Sequence, residues 1–183
     1  MKRGELVLSS DDISKSCEAL DLYTGKKKFA KPPVYRRHMG SRKYDFLGTS
    51  FPPFVLISIR FKETLETIGA TGWRAQPIEI DDPNVDSSEY FLLIVSGKCG
   101  PLQNERSRPK FRPPLFGEGK PLKVYMGLYF DYATWDGSDF FLPEGTGHKF
   151  VTEKVVAGIK KAKLTGVCIQ PIEDVERIWL KES

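Results

Sequence analysis

The 183-residue sequence is poor in the residue types that build metal and redox centres. It has two histidines, His38 and His148, and three cysteines, Cys17, Cys99 and Cys168, no two of them spaced as a CxxC pair. Tetrahedral zinc takes four such ligands, delivered in closely spaced pairs, so neither a structural zinc nor any other cofactor is expected. Cysteines this far apart read as free thiols of a reducing compartment. No apolar run approaches the roughly 20 residues of a membrane-spanning helix. Leu6-Val7-Leu8 is too short for the apolar core of a signal peptide, and acidic residues follow at once, so a cytoplasmic location is expected. GxSxG, HExxH, a Walker loop and GxGxxG are all missing. Gly117-Glu118-Gly119-Lys120 has neither the spacing nor the following Ser or Thr of a phosphate loop. These absences turn the reading away from an enzyme, and no catalytic residue is assigned.

What is present fits a globular chain: 40% hydrophobic and 28% charged residues, in a length that suits one domain, residues 1–183, with a sizeable core. The net charge of +4 is unevenly spread. Between Lys26 and Lys43 there is no acidic residue, but Lys26, Lys27, Lys28, Lys31, Arg36, Arg37, Arg42 and Lys43 all fall there. Acid gathers at Glu79, Asp81, Asp82, Asp86 and Glu89.

The sequence repeats itself. Thr71-Gly72-Trp73-Arg74-Ala75-Gln76-Pro77-Ile78-Glu79 returns 94 positions later as Thr165-Gly166-Val167-Cys168-Ile169-Gln170-Pro171-Ile172-Glu173, with six of nine pairs identical. At the same shift Asp45-Phe46 falls on Asp139-Phe140, Ser58 on Thr152 and Arg60 on Lys154. Phe61, Leu65 and Ile68 fall on Val155, Ile159 and Ala162, four and three apart, which is the apolar stripe of a helix. Two related loop–helix–strand units are therefore expected, at 45–80 and 139–174, within an α+β fold with a mixed sheet. Ser58 and Thr152 suit the N-caps, and glycines at 69 or 72 and at 166 suit the helix ends. The strands should begin at Trp73 and Val167. Pro77 and Pro171, which cannot donate to a ladder, belong at strand ends or sheet edges.

Elsewhere, Asp11–Leu22 reads as a helix capped by Ser10, and Tyr90–Val95, apolar on both faces, as a central strand. Alternation from Val124 to Phe130 marks a half-buried strand that runs into a turn at Thr134-Trp135-Asp136-Gly137. Residues 175–180 read as a final strand or helical turn. The stretch 26–43, with Pro32-Pro33, and the stretch 97–121, with Pro101, Pro109, Pro113 and Pro114, read as exposed loops.

Trp135-Asp136-Gly137-Ser138-Asp139-Phe140-Phe141, then Phe150–Val156, then Leu164-Thr165-Gly166, form a succession that resembles a large bacterial family of immunity proteins. Members accompany polymorphic and type VI secretion toxins and include the Myxococcus double-CXXCG group. The resemblance covers residues 123–175, and more weakly reaches back to residue 44. The paired CxxCG elements of that branch are missing here; Lys98-Cys99-Gly100 is what remains, and one cysteine cannot hold zinc. The resemblance implies a shared fold and tight binding to a cognate toxin, and carries over no metal. By analogy with the class, a nuclease is the first toxin to consider.

Three further readings compete with it. Asp136, Asp139, Glu144 and His148 lie within thirteen residues, as an acid, a base and a histidine of a hydrolase could. Against this, aspartates in turns bond nearby amides, and Asp139 repeats Asp45, which favours a structural device. The basic stretch, with Phe29, Tyr35 and Tyr44, has the composition of a single-strand nucleic-acid site, of a solvated loop, or of a docking surface for an acidic protein face. Nucleic acid is the weaker of the two binding readings, and no membrane partner is expected. Trp73 aligns with Val167 and reads as core, whereas Trp135, at a turn, reads as exposed. The expected contact residues are Arg36, Arg37, Arg42 and Lys43 in the basic loop, Arg106 and Arg108 in the Pro-rich loop, and Trp135 and Asp136 in the turn.

Overall fold

A computed structural model describes residues 4–14, 19–114, 119 and 121–177. In chain order the elements are β1 (Val7–Ser9), α1 (Asp11–Ser14), α2 (Ala19–Tyr23), β2 (Val34–Met39), β3 (Phe46–Gly48), β4 (Val55–Ser58), α3 (Ile59–Thr67), β5 (Trp73–Pro77), β6 (Glu79–Asp81), β7 (Tyr90–Val95), β8 (Gly97–Pro101), β9 (Arg108–Arg112), β10 (Leu122–Met126), β11 (Phe140–Glu144), β12 (Phe150–Val151), α4 (Glu153–Lys161) and β13 (Glu176–Arg177). The fold is α+β with several sheets, ordered β1-β2-β6, β3-β4-β7-β5, β12-β11-β8 and β13-β10-β9. β7 is central, as its two-faced apolar sequence demands, and the edge strand β5 ends on Pro77.

The two related units share a hairpin and a helix. β3 pairs with β4 so that Phe46 faces Ile57 and Leu47 faces Leu56; β11 pairs with β12 so that Phe140 faces Val151 and Phe141 faces Phe150. Each of these positions is the other plus 94. The helices run over Ile59–Thr67 and Glu153–Lys161, again offset by 94, and each is followed by a residue with positive φ, Gly69 in one case and Lys163 in the other. Gly158 of α4 lies against Ile68, so the helices touch at their flanks. Both units feed one core: Leu47, Leu56, Phe61 and Leu65 from the first cluster with Phe140, Leu142, Val155 and Ile159 from the second.

Each unit is clasped by the other through an aspartate. Asp45, before β3, accepts from the Thr165 amide at 2.7 Å and hydroxyl at 2.8 Å, from the Ser58 hydroxyl at 2.9 Å and from Arg60 at 3.2 Å. Asp139, before β11, accepts from the Thr71 amide at 2.9 Å and hydroxyl at 3.1 Å, from the Thr152 hydroxyl at 2.8 Å and from Lys154 at 3.0 Å. The cations also reach helix ends reciprocally, Arg60 to the carbonyls of Ala162 and Lys163, and Lys154 to that of Gly69. Glycine follows each threonine for a steric reason. A Cβ on Gly72 would stand 2.2 Å from the Phe140 carbonyl oxygen, and one on Gly166 would stand 2.3 Å from that of Phe46, with φ at +78° and +85°.

Several sequence expectations need correction. No strand forms at Val167–Pro171. β5 is a strand because five of its residues pair with β7, from Trp73↔Val95 to Pro77↔Phe91; among the described residues no strand stands beside 167–171 to give the same ladder. Pro171 instead leads into a 3-10 turn, Ile172–Asp174, tied to the body where the Leu128 amide donates to the Ile172 carbonyl. Thr152 stands at the N-cap, but its hydroxyl donates to Asp139 and caps no amide; the Ser58 hydroxyl, which donates to Asp45, also accepts from the Phe61 amide. The stretch expected as a loop at 26–43 contains β2, which gains a ladder on both edges from β1 and β6. The stretch 97–121 contains β8 and β9, paired with β11 and β10. Of the helix expected over Asp11–Leu22, the described residues form α1 and α2, and residues 15–18 lie outside the described residues. The strand expected over 124–130 ends at Met126, where Gly127 turns at φ +92°. Of the element expected over 175–180, β13 is described; Cys17, Glu118 and Trp179 lie outside the described residues.

Candidate binding surface

Of the acidic cluster that suggested catalysis, Asp136 and Asp139 hold backbone, and Glu144 is exposed. Asp136 accepts from the Lys98 amide at 2.8 Å and from the Ser138 amide at 3.0 Å. Burial alone would raise its carboxyl, but these amides and the Lys98 charge outweigh that and hold it below the usual carboxylate range. The same balance holds at the two clasps. Burial raises Asp139, and the bonds from Thr152, Lys154 and Thr71 more than reverse it; burial raises Asp45, and Thr165, Ser58 and Arg60 reverse that. All three are held as anions by amide, hydroxyl or cation partners, and a lowered pKa makes each a weak proton acceptor. His148 is half-buried, and burial, with Arg177 and Lys149 nearby, pushes its imidazole toward the neutral form. Among the described residues no group of three or more His, Cys, Asp or Glu side chains could hold a metal ion, and no helix is long and apolar enough to cross a membrane.

The basic and acidic stretches of the sequence meet each other. β2 and β6 run parallel and side by side, which places Arg36 against Asp81 at 3.0 Å and Arg37 on Asp82 in a two-bond fork at 2.6 and 2.9 Å. Lys43 meets Glu89 at 2.7 Å, and the Arg42 guanidinium lies 6.0 Å from the Tyr44 ring centre. Arg106 donates to Gln103 and stacks 5.0 Å from the Tyr129 ring centre. Arg108 begins β9, an exposed edge strand reading Arg-Pro-Lys-Phe-Arg; charge and proline of this kind discourage pairing with another strand. The charge asymmetry that drew attention to Arg36, Arg37 and Lys43 is thus largely neutralised within the fold.

A concavity lies elsewhere. A cleft of about 890 Å³ opens between α4, the hairpin β11–β12 and residues 167–175. One wall is aromatic: Phe130, Phe141 and Phe150 pack edge-on or tilted with centroids 5.5 to 5.7 Å apart. The other holds Val156 and Ile159 of α4, and the rim carries Ile169, which is 40% exposed, and Tyr132, which is 66% exposed. Of the eight residues expected to make contacts, only Trp135 lines this cleft. It is half-buried rather than exposed, 5.2 Å from Phe141, with its indole donating to the Ser138 carbonyl. Reading the sequence missed Phe130, Val156 and Ile169. Their signal was present as Val167-Cys168-Ile169, an apolar run with the look of a strand, but nothing in the sequence says that it has no ladder partner among the described residues.

Compared with known proteins, the sequence matches no family model and shows no significant similarity to any curated protein.

Proposed function

We propose that this chain binds another protein at the cleft and neutralises it, as a cytoplasmic immunity protein acts on a cognate secreted toxin. The observation that carries the reading is the cleft itself: a depression of about 890 Å³ backed by the buried rings of Phe130, Phe141 and Phe150, whose rim leaves Ile169 and Tyr132 in water. Exposed apolar surface gathered around a concavity marks a place where a partner is buried. The resemblance to immunity proteins covers residues 123–175, and those residues supply most of its lining. Inhibition is stoichiometric: the partner's active site is covered, or its shape locked, by an interface of roughly 1,200 Å² or more. A nuclease toxin is the first candidate by analogy. Nucleic acid as the direct ligand is disfavoured because Arg36, Arg37 and Lys43 already hold carboxylates. Hydrolysis is disfavoured because Asp136 and Asp139 already hold amides.

The test is co-expression with the product of the adjacent gene. Rescue of growth together with one-to-one co-purification is expected, and Ile169→Glu or Tyr132→Glu should abolish rescue in a soluble, folded protein. A neighbour that is neither toxic nor bound overturns the reading.

A further inference from the structure

The two units differ at one place, and the difference coincides with the cleft. In the first unit β7 lies between β4 and β5. The β4 edge pairs Leu56, Ile57 and Ser58 with Leu92, Phe91 and Tyr90, and the β5 edge pairs Trp73–Pro77 with Val95–Phe91. Helix α3 covers β7: the Lys62 ammonium lies 5.7 Å from the Phe91 ring centre, and Leu65 is fully buried.

Moving each wall forward by 94 gives Phe150, Val151 and Thr152 for the β4 edge, Val167–Pro171 for β5, and Val156 and Ile159 for Lys62 and Leu65. All of these line the cleft. Among the described residues β12 is the outer strand of its sheet and the backbone of Val167–Gln170 makes no hydrogen bond. The cleft therefore has the walls of a central-strand slot, with two backbone edges and an apolar layer on either side.

We propose that this slot takes an extended apolar strand of the bound protein, in the position that β7 holds in the first unit. The strand pairs with β12 on one side and with Val167–Gln170 on the other, so backbone bonds supply affinity while the layers above and below select apolar side chains at successive positions. This rests on the immunity reading above and names its mode of recognition. About six residues fill the slot, spanning roughly 20 Å. A second copy of this chain is a poor donor. Its exposed edge strand β9 carries Arg108, Pro109, Lys110 and Arg112, and its suitably apolar strand β7 is already buried in the middle of a sheet.

The probe is a synthetic peptide carrying Tyr-Phe-Leu-Leu-Ile-Val, the β7 sequence, flanked by lysines for solubility. Binding to the full chain is read by calorimetry and by amide hydrogen exchange. The expected result is saturable one-to-one binding that slows exchange at least tenfold at Val151 and at Val167–Gln170. Methylating alternate peptide nitrogens should remove it, and Ile169→Pro, which deletes one backbone donor on an exposed residue, should weaken it at least tenfold. Absence of binding, protection confined to other elements, or unchanged affinity after methylation overturns the proposal. So does slow exchange at these amides before peptide is added. If that protection is independent of protein concentration, a segment of the same chain fills the slot; if it grows with concentration, a second copy does. Co-expression separates this proposal from the reading beneath it. If the unaltered chain and Ile169→Pro rescue equally, strand addition fails and immunity stands. If the unaltered chain does not rescue, immunity fails and the peptide result alone judges the slot.

Discussion

Replacing Asp139 by asparagine tests the clasp that positions the hairpin β11–β12 and α4, and hence the cleft walls. The carboxylate accepts four bonds: two from Thr71 and one from Lys154 on Oδ2, and one from Thr152 on Oδ1. Asparagine keeps the shape but has one acceptor oxygen. Whichever way its amide turns, an NH2 meets at least one donor that was bonded to oxygen. If the oxygen faces Thr71, the Thr152 hydroxyl must reorient and the charge that held Lys154 is lost. If it faces Thr152, the Thr71 amide and hydroxyl are both orphaned. A bond to a charged acceptor is worth about 1.5–3 kcal/mol, and a buried donor left unpaired costs about 1–3 kcal/mol. The lysine adds less than about 1 kcal/mol because its side chain is 46% exposed. The sum is roughly 2.5–7 kcal/mol, a large part of the stability of an ordinary domain. Urea unfolding followed by far-ultraviolet dichroism should show the midpoint fall with an unchanged slope. Asp45→Asn should cost a similar amount, since Thr165, Ser58 and Arg60 surround it in the same way. A cost below about 1 kcal/mol for Asp139→Asn, or a severalfold difference between the two variants, would refute the reasoning.

Three other outcomes are expected. Asp45, Asp82, Asp136 and Asp139 all have folded pKa values below their usual ones, so their stabilisation is present above the unfolded carboxyl pKa of about 3.9 and is lost as pH falls through the folded values. Urea midpoints measured from pH 6 down to pH 2.5 should decline, and less steeply in the Asp45→Asn/Asp139→Asn double variant. Lys149 is pushed by burial from 10.5 to about 8. Between those values the unfolded chain binds more protons than the folded one, so stability should rise from about pH 8 toward pH 10, and Lys149→Met should remove that rise. Cys99 is buried, and burial and the nearby Asp136 carboxylate raise its thiol to about 11, whereas Cys168 is exposed on the cleft rim. Iodoacetamide at pH 8, followed by peptide mapping, should label Cys168 in minutes and Cys99 only on unfolding; equal rates would contradict the burial.

The repeat was legible because its signature residues have side-chain duties that depend on neighbours a fixed distance away. Asp45 and Asp139 need a threonine amide and hydroxyl, the glycine after each threonine needs room for a crossing carbonyl, and α3 and α4 need an apolar face. Those requirements write themselves into the sequence at matching positions. β7 was legible for the same kind of reason, since a strand buried on both faces must be apolar throughout. Non-local pairing was not legible. Nothing in Arg36 and Arg37 says that Asp81 and Asp82 will arrive beside them on a parallel strand, so a neutralised ladder reads as a bare basic patch. Val167–Ile169 is an apolar run aligned with the start of β5, but a strand is a property of two edges, and the second edge is not written in the segment itself. Among the described residues the cleft lies where that second edge would stand, and Trp135 was the only one of its residues picked out for binding.

Hydrogen exchange on this chain with and without the product of the adjacent gene tests most directly the proposal that a protein partner is held in the cleft. Slowed exchange concentrated at Phe150–Val151 and Val167–Gln170, with β2 and β6 unchanged, is the expected pattern. Protection centred on Arg36 and Arg37, with the cleft edges still exchanging freely, would contradict the account.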